Sequence, residues 1–364
     1  MNVVIAFPSA FANKGALARA IKKVARRKTS VLIEENWIVC EPSDPVELAS
    51  RLTNLFGVEK VAIAKKVSND FSDLSHAIVE VGSKIIMPGA RFYIKVIQEA
   101  TAAKYDYVNR DIEFAASGAL TAKLSSIEAK PAKNEHDASH LIVTVIGREA
   151  AYVCLQLSRA AGGRIAGTEG RVLCSIHSSL SLLSSLMAAK AGFDSSIVLA
   201  YADERELETN AKLAQLLASK TGRTKQTILV MPINVPIMKH AYAPLVREKI
   251  ISKILIGLKE YRRIVFPLSI AVHPIWLIES IMHETLSIGK TAFMPLAFMS
   301  SELVTYSQDI GINLHETDTS ARAKDRLGKY SSIIESEAKL AINHMKKIDL
   351  KVGPNYLHDI LDSI

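Results

Sequence analysis

The segment from Gly162 to Ala189 constrains the fold of this chain more than any other. A glycine-rich approach, residues 162–170, leads into the apolar run Val172–Ile176, which predicts a buried strand. Small hydroxyl residues follow, and an apolar helix pattern begins at Leu182. Where a strand, a tight turn and a helix N-terminus meet, main-chain N–H groups and the helix dipole converge. The segment therefore predicts an α/β architecture with an anion site at this turn.

The rest of the C-terminal part continues this alternation of strands and helices. Its apolar runs predict strands at residues 197–200, 226–232, 263–269 and 291–295, and helices at 182–191, 204–221, 244–258 and 274–286. Alternation of this kind is typical of a doubly wound parallel sheet. We therefore assign residues 161–364 to one α/β domain.

The N-terminal part divides into two smaller predicted domains. Residues 1–66 follow the order strand–helix–strand–strand–helix–strand, which is the ferredoxin-like arrangement. Residues 67–160 contain two predicted helices and a small sheet, with the sequence F-Y-I-K-V at Phe92–Val96 and a polar loop at 130–139. The hydrophobic fraction of 49% indicates well-buried cores and excludes a disordered chain.

Several short motifs occur in an order that resembles the tRNA 4-thiouridine synthetases. Gly170–Leu173 reads G-R-V-L, as that family does before its S-G-G-x-D-S nucleotide loop, and Phe7-Pro8, Asn13–Gly15 and Leu55–Val58 match upstream. The resemblance covers nearly the whole chain. It implies a THUMP-like RNA-binding domain at residues 67–160 and a PP-loop-type domain at 161–364. It also implies tRNA as the partner and a homodimer, with a heterodimer with an active paralogue left open.

The nucleotide loop departs from the family pattern at each working position. His177 stands at the first Ser, Ser178 and Ser179 replace the two glycines, Ser181 replaces the Asp, and Leu182 replaces the last Ser. Serine adds a Cβ where glycine allows positive φ and close approach of the backbone to phosphate. A neutral hydroxyl also cannot supply the charge of the missing Asp. His177 could contact a phosphate, although a hydrogen-bonded filler is the more common role of a lone histidine.

Two further parts of the family's machinery have changed. The stretch G-x-S-L-G-Q is here P-L-S-I-A-V-H at Pro267–His273, and no cysteine follows Cys174, whereas the family uses a downstream cysteine to handle sulfur. These changes favour a tRNA-binding protein without catalytic residues, and without ATP, magnesium or another cofactor. The alternative is an active ATP-dependent tRNA sulfurtransferase with an atypical loop, which would use ATP and magnesium.

The remaining composition points to the cytoplasm. Cys40, Cys154 and Cys174 each lie in an apolar run without CxxC spacing, which predicts buried reduced thiols and no disulfide framework. The apolar stretch 264–281 contains prolines and a glutamate and predicts a strand that turns into a helix, with no membrane span. No basic region precedes the first strand, so a signal peptide is not expected. The scattered histidines predict no metal site.

Basic residues suggest how a polyanion is bound. The net charge is +8, and the first predicted helix, residues 15–28, carries cations on one face and apolar residues on the other. The predicted RNA-binding residues of this region are Lys14, Arg19, Lys22, Lys23, Arg26 and Arg27. Such cations would position RNA through its phosphates, whereas a merely solvated face is the alternative.

The THUMP-like domain supplies a second predicted RNA-binding set. Its members are Lys95, Lys104, Tyr105, Arg110 and Lys123, with Tyr107 beside them. Aromatic rings next to cations can stack on unpaired bases. The alternative for the two tyrosines is that they cap the small core of this domain.

Overall fold

The computed structural model describes residues 2–25, 29–99, 105–221, 225–235, 243–298, 300–309 and 327–351. The chain divides into two compact units, Met1–Gly163 and Arg164–Ile364. The predicted boundary between residues 160 and 161 lies close to this division.

The first part of the N-terminal unit has the predicted ferredoxin-like order. Its elements are β1 (Asn2–Pro8), α1 (Lys14–Val24), β2 (Ser30–Ile33), β3 (Ile38–Glu41), α2 (Pro45–Thr53) and β4 (Val58–Val67). Strand β1 lies between β3 and β4 and is antiparallel to both. Both helices begin at capping residues, since the side chains of Asn13 and Asp44 accept main-chain N–H groups of Ala16 and Glu47 at 2.9 Å.

The second part of this unit extends the same sheet. Its elements are α3 (Phe71–Ile85), β5 (Arg91–Gln98), α4 (Asn109–Lys123), a 3₁₀ turn (Ser125–Ile127), β6 (Lys130–Pro131), β7 (His140–Ile146) and β8 (Ala151–Arg159). The strand order is β2-β3-β1-β4-β8-β7-β5-β6, so one sheet continues across the predicted boundary at residues 66 and 67. The predicted loop 130–139 was wrong at its start, because Lys130 and Pro131 pair with β5.

Apolar residues are buried on both faces of this sheet. Ile94 and Val153 pack with the helices α3 and α4, whereas Val3, Trp37 and Tyr152 belong to a separate cluster built mainly from strand residues. The turn between β2 and β3 reaches the ends of distant strands, since Asn36 N–H donates to Glu99 Oε1 at 2.9 Å. The sheet is therefore curled, and the curl encloses the second cluster.

The C-terminal unit has the predicted parallel sheet. Its elements are β9 (Arg171–Ile176), α5 (Ser179–Lys190), β10 (Asp194–Tyr201), α6 (Glu204–Thr221), β11 (Lys225–Pro232), α7 (Ala243–Gly257), β12 (Arg263–Val265), α8 (Ile275–Ser287), β13 (Thr291–Phe293), α9 (Ser301–Asp309), α10 (Ser331–Asn343) and β14 (Lys346–Lys351). The strand order is β13-β12-β9-β10-β11-β14. The first five of these strands run parallel, whereas β14 is antiparallel to β11.

The apolar stretch 264–281 is divided between β12 and α8, as the sequence predicts. Strand β12 ends at Val265, four residues before the predicted end at Ser269. Among the helices formed by described residues, none combines the length and apolar character that a membrane crossing needs.

Candidate functional site

The turn between β9 and α5 lies at a helix N-terminus, where the sequence places the nucleotide loop. Ser178 is the N-cap of α5, and its Oγ accepts the Ser181 N–H at 3.2 Å. The Ser181 hydroxyl accepts the N–H groups of His177 and Ser178, both at 2.9 Å, and donates to the Ser178 carbonyl at 2.8 Å. Serine hydroxyls thus occupy three main-chain N–H groups that a bound anion would otherwise use.

The other two loop residues complete the same compact turn. Ser179 is the first residue of α5, and Leu182 is fully buried, with its N–H bonded to the Ser178 carbonyl at 3.1 Å. Leu182 therefore contributes to the core of the unit and presents no hydroxyl at the turn. All five predicted loop positions lie together, and what they form is a self-bonded cap.

The side chain of His177 is paired with Glu248 on α7. The distance from His177 Nε2 to Glu248 Oε2 is 2.9 Å, and the two side chains are only 5% and 10% exposed. Burial alone would raise the pKa of the Glu248 carboxyl, but the charge and hydrogen bond of His177, with smaller contributions from His273 and Arg247, bring that pKa below its ordinary value. The geometry favours the hydrogen-bonded role for His177 over a phosphate contact.

His273 lies near this pair at the carboxyl ends of β9 and β12. The Ser269 N–H donates to His273 Nδ1 at 3.3 Å, while burial lowers the pKa of His273 and the nearby Glu248 carboxylate opposes that shift. In open parallel sheets, ligands bind at such carboxyl ends. The sequence analysis did not connect His273 with His177 and did not single out Glu248. The available signal was an acidic residue inside the apolar pattern of α7. Within the described residues, no cluster of metal-binding side chains is found.

All three cysteines are buried and reduced, which confirms their predicted role as small apolar residues. Burial raises the pKa of Cys40 and Cys154 to about 12 and that of Cys174 to about 11. Burial therefore favours the protonated thiol at neutral pH, whereas the thiolate is the nucleophilic form of cysteine.

Helix α1 has the predicted two-sided character. Leu17 and Ile21 are fully buried. On the opposite side of the helix, Arg19, Lys22 and Lys23 are exposed. In the part of the chain that the structure describes, these three cations form no ion pair. Lys14, by contrast, donates to the main-chain carbonyl of Glu35, and Arg26 and Arg27 lie outside the described residues.

The second predicted set is less uniform. Lys95 forms an ion pair with Glu135 at 2.5 Å, so its charge is partly neutralised. Arg110 and Lys123 are exposed on α4, and Lys104 lies outside the described residues. Of this set, Arg110 and Lys123 therefore present the more available charges.

Tyr105 and Tyr107 pack against each other and against the core. Their ring centroids are 5.1 Å apart at an interplanar angle of 8°, and both rings contact the apolar cluster of α3 and α4. The Tyr107 hydroxyl donates to the Asn69 carbonyl, and the Asn69 amide donates to the Tyr105 hydroxyl. These contacts favour the alternative in which the tyrosines cap the small core.

Comparison with curated proteins finds weakly similar relatives, whereas no family model matches the chain. A probable tRNA sulfurtransferase of Lactobacillus acidophilus is 23% identical over 183 residues, which are 49% of this chain and 44% of the relative. A protein of the same name from Lactobacillus helveticus is 23% identical over 192 residues, 51% and 46% of the two chains. The match therefore spans less than half the length of each curated relative.

Solved structures resemble the chain over most of its length. A 4-thiouridine synthetase in complex with RNA and ATP has a TM-score of 0.72 at 15% identity, covering 96% of this chain and all of that one. PH1313 from Pyrococcus horikoshii has a TM-score of 0.63 at 17% identity, covering 86% of this chain and all of that one. The chain thus resembles the 4-thiouridine synthetases and has their fold, which confirms the predicted combination of THUMP-like and PP-loop-type α/β domains.

Proposed function

We propose that this chain binds tRNA and does not catalyse its ATP-dependent thiolation. The exposed cations on α1 carry the binding part of the proposal, because Arg19, Lys22 and Lys23 share one exposed side of a helix whose other side is buried. Cations placed in this way suit successive phosphates of a nucleic acid. The likeness to probable tRNA sulfurtransferases, and to a synthetase solved with RNA, supports tRNA as the polyanion.

Three features of the described residues support the loss of chemistry. The hydroxyl of Ser181 already holds two N–H groups of the turn. The His177 side chain is committed to Glu248, and each cysteine is a buried thiol with a raised pKa. A phosphate entering this turn would exchange hydrogen bonds already made for new ones. The carboxylate described beside the turn, that of Glu248, is already paired with His177.

The binding part is tested by titrating tRNA at several salt concentrations. The variant Arg19→Ala/Lys22→Ala/Lys23→Ala should remain folded, because alanine is a good helix former and the buried face of α1 is unchanged. It should bind tRNA more weakly, and the slope of log affinity against log salt should fall by roughly 2 to 3 if all three cations contact phosphate.

The matched control removes three exposed cations from the C-terminal unit: Lys259→Ala/Arg262→Ala/Lys339→Ala. This variant changes the net charge equally, so it should show a smaller loss of affinity and nearly the wild-type slope. Equal effects in the two variants would mean that α1 has no special role and that only net charge attracts RNA.

The catalytic part is tested by calorimetric titration of ATP, with and without magnesium. We expect no magnesium-dependent binding in the micromolar range, because the turn is internally bonded. The alternative, an active tRNA sulfurtransferase with an atypical loop, retains the helix N-terminus and the fold of a protein solved with ATP. Tight magnesium-dependent binding would favour that alternative and reject the proposed loss of activity.

A further inference from the structure

Two buried carboxyl groups meet where the curled sheet of the N-terminal unit closes. Glu34 begins the turn of residues 34–37 between β2 and β3, where its N–H donates to the Trp37 carbonyl at 3.0 Å. Glu99 follows β5, and its N–H donates to the Ile146 carbonyl at 3.1 Å. Glu34 is 4% exposed and Glu99 2% exposed, and their carboxyl groups lie within hydrogen-bonding reach of each other. Such a contact would be repulsive if both groups were ionised.

Each of these carboxyl groups keeps one oxygen without a hydrogen-bond donor. Glu99 Oε1 accepts the Asn36 N–H at 2.9 Å, whereas no donor among the described residues reaches Glu99 Oε2 or Glu34 Oε1. Two ionised carboxylates cannot bond to each other because neither has a donor, but a protonated carboxyl donates its O–H to the other group. One shared proton therefore supplies the missing donor and leaves one buried charge in place of two.

The surrounding titratable groups come from β3, β8, two turns and α1. They are Glu41, Tyr152, Glu35, Glu149 and Lys14. Burial raises the pKa of Tyr152 to about 12, with smaller contributions from nearby carboxylates, so its hydroxyl stays neutral at ordinary pH. Lys14 donates to the main-chain carbonyl of Glu35, and Glu41 is paired with Lys66 at 2.8 Å. The shared proton is thus a matter between Glu34 and Glu99.

We propose that Glu34 and Glu99 form a pH-sensitive latch: they share one proton, and loss of that proton loosens the closure between the β2–β3 turn and the end of β5. These strands are the first and the seventh in the order of the sheet, so the latch acts on the curl and not on the pairing of neighbouring strands. The turn is also bonded to the first residue of α1 through Lys14, so its loosening reaches that helix.

The expected pH dependence follows from the environment of Glu99. Burial raises the pKa of its carboxyl above the ordinary value of 4.5, the hydrogen bond from the Asn36 main chain opposes this, and the charge of Glu34 raises the pKa further. The stabilisation by the shared proton is therefore fully present below pH 4.5 and is lost as the pH rises through the folded-state pKa. Above that pKa, each pKa unit of the rise corresponds to a loss of about tenfold in the folding equilibrium constant.

The experiment measures urea unfolding of the full chain from about pH 4 to about pH 9 for wild type, Glu34→Gln and Glu99→Gln. All three proteins carry Trp276→Phe, so that Trp37, the other tryptophan of the chain, reports unfolding of the N-terminal unit by its fluorescence. A glutamine amide supplies a permanent donor in place of the shared proton. Each glutamine variant should therefore become more stable than wild type as the pH rises, by about tenfold in the folding equilibrium constant for each pKa unit.

The matched control is Glu128→Gln, which removes an exposed carboxyl from the same unit. Its pH profile should follow that of wild type, since it leaves the latch unchanged. The difference between the profiles of a latch variant and wild type isolates the latch, because the other groups titrate in both proteins alike.

A carbon NMR titration of the glutamate carboxyl groups tests the latch in wild type and does not depend on whether the variants fold. The signals of Glu34 and Glu99 should titrate together in two steps, with the upper step above pH 4.5. Independent titration of both groups at ordinary values would overturn the latch, and so would glutamine variants that are less stable than wild type by the same amount at every pH. Neither measurement uses RNA, so failure of the latch would leave the proposed function standing.

Discussion

At the scale of single residues, the most informative contact is the one between His177 and Glu248. The sequence allowed a hydrogen-bonded role for His177 but could not identify its partner, because Glu248 lies 71 residues further along the chain. Such a contact depends on how α7 packs against the sheet, and no local pattern encodes it. A buried carboxylate is stable only with a partner. The histidine that replaces a loop serine therefore supplies the partner that Glu248 needs.

This coupling predicts the effect of replacing His177 with serine, the residue that the 4-thiouridine synthetases have at this position. His177→Ser leaves a buried carboxylate unpaired and should lower the free energy of unfolding by roughly 3–5 kcal/mol at pH 7. Adding Glu248→Gln removes the unpaired charge and should recover most of this loss. Urea unfolding of the two single variants and the double variant measures the coupling.

The pH dependence of the same pair has a definite sign. The pKa of Glu248 in the folded protein lies below the ordinary value of 4.5. The stabilisation is therefore present above pH 4.5 and is lost as the pH falls through the folded-state pKa.

The control for the coupling between His177 and Glu248 is the exposed pair Lys212–Glu208 on α6. Lys212→Ser should show weak coupling to Glu208→Gln. Additive effects at His177 and Glu248 would contradict the role assigned to this pair.

At the scale of helices and strands, the sequence predicted most elements because their signals are local. Helices α1 and α2 begin at side-chain caps that the sequence displays, and the central strands of the C-terminal sheet are apolar runs long enough to be buried. Strand β14 was not predicted, because K-K-I-D-L-K is mostly polar. It lies at the edge of the sheet, where charged residues discourage pairing with other chains.

The candidate site was predicted in position but not in structure. Motif spacing placed the turn of residues 177–182 between a strand and a helix, and the structure has it there. The hydrogen bonds of Ser181 could not be foreseen, because they depend on the orientation of one hydroxyl.

At the scale of the whole molecule, each compact unit has a core of its own. In Met1–Gly163, the cluster of α3 and α4 and the cluster inside the curled sheet contain only residues of that unit. The predicted RNA-binding cations also belong to it. The self-bonded turn and the His177–Glu248 pair belong to Arg164–Ile364. The proposed RNA-binding residues and the altered loop thus belong to different units.

This separation predicts that the N-terminal unit binds tRNA by itself. A protein of residues 1–163 should unfold in one cooperative transition, because its sheet and helices bury both of its apolar clusters. Its salt slope for tRNA should match that of the full chain, since the slope counts phosphate contacts and the described candidates for these lie before residue 164. A protein of residues 164–364 is the control and should bind tRNA weakly. Salt titrations of both proteins and of the full chain measure the slope of log affinity against log salt. A steep slope for the C-terminal protein and a shallow slope for the N-terminal protein would contradict the prediction, because the phosphate contacts would then lie in the C-terminal unit.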